Sequence, residues 1–188
     1  MPIVDLLPVG DGATLGWTPT PAGTPHYLRI LDYSGPDDAA GYIQTGGYLA
    51  AELFHTQTGP DIPEVVGVAW VSVRVRLRRT GVNPVNNPVW SGPLIGTGPS
   101  FEPLAWAIQY ADRAKWLWFN PESDANARAT TNPATGKAWT WAEALAVQVG
   151  IKDQTPDPHQ LHCTSLRKVV SVTYRGVTRW DSAVRMNR

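Results

Sequence analysis

Cysteine is almost missing: Cys163 stands alone among 188 residues, which excludes an internal disulfide and points to synthesis in a reducing compartment. Lysine is scarce as well, four residues against twelve arginines, so cationic contacts here favour the planar, bidentate guanidinium over a flexible ammonium. Net charge is zero. No overall field draws the chain to nucleic acid or to an anionic membrane, and neither is expected as a partner. No apolar run approaches the roughly 20 residues a membrane helix requires, and the opening residues lack the charged-then-apolar pattern of a secretory leader. A soluble protein made in a cytoplasm is therefore expected. Chemical signatures are missing too: there is no nucleophile elbow, no GxGxxG, no phosphate loop and no zinc-ligand spacing. On these grounds no catalytic residue, no metal ligand and no cofactor is assigned.

What the chain does hold is turn formers and strand formers. Seventeen Gly and seventeen Pro punctuate it, with β-branched and aromatic residues in the gaps, the composition of short strands joined by many turns. The length suits one domain, 1–188. IVDLL at 3–7 predicts a strand, while the Gly- and Pro-rich stretch that follows, to about residue 25, predicts an irregular arm. HYLRIL at 26–31 and the segment 48–58 predict strands. The clearest alternation is VAWVSVRVRLRR, 68–79, with Val71, Val73, Val75 and Leu77 on one face and Ser72, Arg74, Arg76 and Arg78 on the other. Its arginine face either stays in water, the preferred reading, or meets carboxylates of a neighbouring strand or subunit.

VWSGPLI predicts an edge strand inside the loop-rich stretch 80–103. LAWAIQYA, 104–111, and KWLWF, 115–119, predict further strands, and 120–138 predicts a long polar loop. Thr140 and Glu143 have capping-box spacing, so a short helix starts there. VQVGIK at 147–152 and SLRKVVSVTY at 165–174 complete the strands, with Val170, Val172 and Tyr174 inward. Eight to ten short strands, one helix and no fixed repeat predict an all-β antiparallel sandwich of the jelly-roll kind.

Two groups invite a chemical reading. Asp37 and Asp38 in SGPDD are adjacent, so on a strand they point to opposite faces, and the DxDxDG calcium spacing is missing. They read as turn residues. His159, His162 and Cys163 in HQLHC match no zinc pattern, and Cys163 reads as a small buried hydrophobe at a strand start. Nine tryptophans exceed what one core needs. Trp106, Trp116 and Trp139 are expected in the core and Trp180 at an interface.

GWTPTPAGTPHYLRILDYSGPDDAAGYI, 16–43, resembles the opening of a group of tailed-bacteriophage structural proteins, with an early Gly-Trp, a His/Tyr strand, then PDD and a Tyr-Ile pair. NPATGKAWTWAEALAVQVGIK, 132–152, resembles their later signature, an NPxTGxxWT run leading through a short helix into a Gly-containing strand. The resemblance spans about 10–175 and departs in the extended 80–103 stretch and in the segment after Tyr174. It implies a jelly-roll β-sandwich similar to lectin-type and carbohydrate-binding modules, carried on a virion without known catalysis. The expected function is thus a non-enzymatic virion component docked on tail or capsid by loops and terminal arms (about 1–24 and 176–188). Arg175, Arg179, Trp180, Arg185 and Arg188 form its interface. Its partners would be other virion proteins, with a homo-oligomer in the particle. The competing expectation is a module that recognises a host glycan through exposed Trp and the loops around Asp37 and Asp38.

Overall fold

Alternation decides the central strands. In the computed structural model, which describes residues 1–31, 41–45, 51–59, 65–80, 89–94, 107–108, 116–120, 125, 128–153 and 160–175, the VRVRLRR stretch lies in strand β6. Strand β1 spans Ile3–Leu6, β2 Pro8–Leu15, β3 Trp17–Thr20, β4 Tyr42–Thr45, β5 Ala51–Thr56 and β6 Val65–Thr80. Then come β7 (Val89–Leu94), β8 (Ala107–Ile108), β9 (Leu117–Phe119), β10 (Thr131–Asn132) and β11 (Lys137–Ala138). Helix α1 (Trp141–Ala146), β12 (Gln148–Asp153) and β13 (Gln160–Tyr174) complete the described elements.

The larger sheet runs β3-β4-β13-β6-β9, with β1 also paired to β13; the smaller runs β2-β5-β12-β7-β8. Pairing is antiparallel throughout both. The sheets pack face to face. Phe54, Val149 and Ile151 of the smaller sheet share one core cluster with Ile43, Val73, Val75, Leu77, Cys163 and Leu166 of the larger. A second cluster under α1 joins Leu6, Val71, Val170, Val172, Trp139 and Ala144. Each Val, Leu, Ile or Phe among them contributes roughly 1.5–3 kcal/mol on burial. The antiparallel all-β sandwich expected from the sequence is what forms.

Four local expectations differ from the structure, the first being β7, expected at a sheet edge and found between β12 and β8. Residues 8–20 are not irregular: they form β2 and β3, each at the edge of its sheet. Edges tolerate Pro, because one side of the strand owes no hydrogen bonds. Gly12 lets β2 approach β5, since a Cβ there would lie 2.6 Å from the Leu53 Cβ. HYLRIL is not a strand but a 3-10 turn, His26–Arg29. The Asp11 carboxylate accepts the amide protons of His26 (3.2 Å) and Tyr27 (2.7 Å) and so fixes the turn's start. Within 120–138, the predicted loop holds the β10–β11 hairpin, where the Asn132 side chain accepts from Ala134 N and Gly136 turns the chain at φ +68°.

Candidate functional site

With its odd-numbered valines in the core, β6 presents Arg74, Arg76 and Arg78 on the outer face of the larger sheet. Register sets their neighbours. Arg76 lies opposite Trp118 on β9 and Ser165 on β13; Arg78 lies opposite His162, and His162 opposite Gln44 of β4. Trp116 precedes β9 on the same face, with the guanidinium carbons of Arg78 and Arg76 at 4.7 and 5.4 Å from its ring centroid. Such cation–π contacts are worth about 0.5–1 kcal/mol each where solvent still reaches them. Trp118 is 40% exposed, and Arg167 lies 6.0 Å from its ring centroid.

At the other end of the face the arginine stripe meets a carboxylate. Asp5 of β1 accepts from Arg74 at 2.5 Å and lies 3.8 Å from the buried Arg167. The solvated reading of the stripe thus fails at Arg74, which is bound to a carboxylate across β13. Trp116, expected in the core, is half-buried on this outer face, whereas Trp139 is buried as expected, its indole N–H donating to Ala129 O at 2.8 Å.

His162 ties the face together. Its ring stacks on Tyr42 with centroids 4.2 Å apart and planes within 10°, and its Nδ1 lies 3.3 Å from an Arg78 nitrogen. A guanidinium only donates, so Nδ1 accepts and Nε2 carries the proton. Burial, and then the charge of Arg78, push the imidazole down to about 4, so it is neutral across the physiological range. That Nε2–H is buried with no hydrogen-bond partner, as are Ser165 Oγ and Trp116 Nε1. Orphaned buried polar groups are rare, and Ser171 Oγ on the same face is unmatched as well.

A second polar group sits between the sheets. Glu52, fully buried, accepts from Trp17 N at 3.0 Å and faces His26 Nδ1 at 2.6 Å. Burial pushes its carboxyl up to about 8 against the pull of amide donors from Trp17 and Gly16, so near neutrality the carboxyl is largely protonated. With Asp11 it anchors the 3-10 turn and the start of β3. Lys168 is likewise fully buried, donating to Leu145 O (2.6 Å) and Val147 O (3.0 Å) at the C-terminal end of α1. Desolvation pushes its ammonium down to about 7.

Of the residues singled out from the sequence, Arg175 is exposed just beyond β13. Arg179, Trp180, Arg185 and Arg188 lie outside the described residues, as do Asp37, Asp38, His159 and Trp106. His162 and Cys163 are separated by the strand itself: Cys163 packs in the core and His162 faces outward. Burial pushes the Cys163 thiol far above its ordinary range. Lys168 and Glu52 carry a signal the residues do show: each stands in phase with inward apolar neighbours, Lys168 with Val170 and Glu52 with Phe54. The grouping of Arg78, His162 and Trp116 has none, because it depends on register between strands far apart in sequence.

Fold and face together define an antiparallel β-sandwich with an arginine–tryptophan platform on its larger sheet. No family model, no curated protein and no solved structure matches the chain.

Proposed function

We infer that the chain is a non-enzymatic structural component of a tailed-bacteriophage particle, a β-sandwich docked on tail or capsid through its terminal segments. Besides the sequence resemblance, one observation supports this reading. Val172 N donates to Pro2 O at 3.1 Å, so residues 1–3 and the root of the segment after Tyr174 run side by side at one end of the larger sheet. Met1 (80%), Ile3 (39%) and Val66 (51%) are exposed at that end, next to exposed Arg175. Apolar surface rimmed by a basic group, and followed in sequence by Arg179, Trp180, Arg185 and Arg188, has the composition of a protein-docking patch. Deleting 176–188, or making Ile3→Asp, is expected to leave a folded protein that no longer incorporates into particles. Incorporation at the wild-type level, measured on purified particles by mass spectrometry, would refute the reading.

A second reading, recognition of a host glycan, is favoured by a different observation. Trp118, 40% exposed and opposite Arg76 in register, is an exposed aromatic ring on the outer face, remote from the docking end.

A further inference from the structure

Glu52 belongs to the core and His26 to its rim, and one contact couples them. Glu52 projects from β5 between the sheets and is fully buried. One of its oxygens accepts from Trp17 N at 3.0 Å, at the start of β3, and the other lies 2.6 Å from His26 Nδ1. Two lone pairs cannot meet at that distance, so a proton lies between them, borne by one atom or the other. The His26 side chain keeps 14% of its surface exposed. Its second nitrogen, Nε2, is not sealed off as that of His162 is. The ring therefore bridges a buried carboxyl and solvent.

The proton count of the pair, treated as one titrating unit, decides what Nε2 does. With one proton more than a carboxylate and a neutral imidazole hold together, two arrangements exist. Either a carboxylic acid donates to Nδ1 of a neutral ring, or a carboxylate accepts from an imidazolium. Nε2 carries a hydrogen in both. Once the extra proton leaves, the buried contact persists only as Nδ1–H donating to the carboxylate, and the neutral ring is left with a bare Nε2. The ionised carboxyl keeps other donors as well, the amides of Trp17 and Gly16. We propose that the charge state of Glu52 sets the tautomer of His26, so that the rim of the sandwich at the 3-10 turn offers a hydrogen-bond donor when the pair holds its extra proton and an acceptor when it does not.

The surrounding groups place the change. Burial pushes the Glu52 carboxyl up to about 8, and the nearby charge of Asp11 on β2 adds to the rise. Asp11 itself accepts the amide protons of His26 and Tyr27. Cys163 on β13 also faces Glu52, and burial pushes its thiol so far up that it keeps its proton. Arg29, on the turn itself, donates to Thr24 Oγ1 at 2.7 Å. The rim is thus expected to change polarity near pH 8 with the fold unchanged: a partner oxygen at Nε2 is held below that pH and repelled above it.

The test is two-bond proton–nitrogen correlation NMR of the full chain, which tells a hydrogen-bearing ring nitrogen from a bare one, with the His26 ring assigned through its backbone resonances. His26 Nε2 is expected to bear hydrogen at about pH 6.5 and to be bare at about pH 9.5, well to either side of the change. In Glu52→Gln the amide oxygen stays on the Trp17 N–H and the NH2 group turns to Nδ1, so Nε2 keeps its hydrogen throughout. His55, exposed on the same strand, is unaffected by that substitution. Should Glu52→Gln fail to fold, the wild-type titration alone decides. A bare Nε2 already at about pH 6.5, or a hydrogen-bearing one still at about pH 9.5, overturns the proposal. So does a switch that survives in folded Glu52→Gln.

Discussion

Glu52 and Lys168 place opposite demands on pH. Glu52 has its carboxyl raised from 4.5 to about 8 by burial, so the unfolded chain binds fewer protons than the folded one between those values. Its contribution is full below about 4.5 and is lost as pH rises through about 8. Lys168 has its ammonium lowered from 10.5 to about 7, and the unfolded chain there binds more protons. Its contribution is full above about 10.5 and is lost as pH falls through about 7. The two losses meet near neutrality, so urea denaturation across pH is expected to give a minimum of stability near pH 7–8, with each limb worth at most about 5 kcal/mol. Glu52→Gln flattens the acid limb and Lys168→Met the alkaline one. A wild-type curve with a maximum at neutral pH would contradict the assignment.

Among the elements, α1 is a short helix with an explicit cap. Thr140 Oγ1 accepts from Glu143 N at 3.2 Å while Thr140 N donates to the Glu143 carboxylate at 2.9 Å, and Lys168 closes the other end. Six residues cannot hold a helix by propensity alone. Thr140→Ala is expected to cost about 1 kcal/mol in chemical denaturation, and a change under a few tenths would show that packing of Ala144 and Trp139 suffices. This element was legible in the sequence because capping is local: the two partners are three residues apart. So were β6 and β13, whose period-two alternation is long enough to outweigh any competing period. The 3-10 turn was not, because Tyr27 and Ile30 repeat at three residues within a window too short to separate from two, and the deciding carboxylate, Asp11, lies on another strand. β2 and β3 were missed because Gly and Pro count against strands on average, whereas an edge position forgives both. The arginine stripe of the candidate site was readable from β6 alone. Its tryptophans and its histidine were not, since their place beside Arg76 and Arg78 follows from pairings with β9 and β13. The NPATGKAWT signature, by contrast, resolves into structural roles: the Asn132 side chain and Gly136 shape the hairpin, Trp139 fills the second core and Thr140 caps the helix.

For the whole molecule, β13 is the strand on which the larger sheet depends. β6 pairs along one side of it, while β4, a bridge from Leu31 and β1 divide the other. Its inward residues, Cys163, Leu166, Val170 and Val172, reach both core clusters. β13 is also the last described strand to be synthesised. On the ribosome, β1 and the β3–β4 pair must therefore wait for their partner in the larger sheet until residues 160–174 have been made. Pairings this distant along the chain make for slow closure. Nascent chains arrested before Gln160 are expected to stay protease-sensitive, and chains extended through Tyr174 on a spacer that clears the ribosome to become resistant. Resistance before Gln160 would mean that the smaller sheet folds alone. Because the centre of the larger sheet arrives last, the arginine–tryptophan contacts set by the β6–β9 pairing precede it, and only the docking of β13 adds His162 and Ser165 to complete that face.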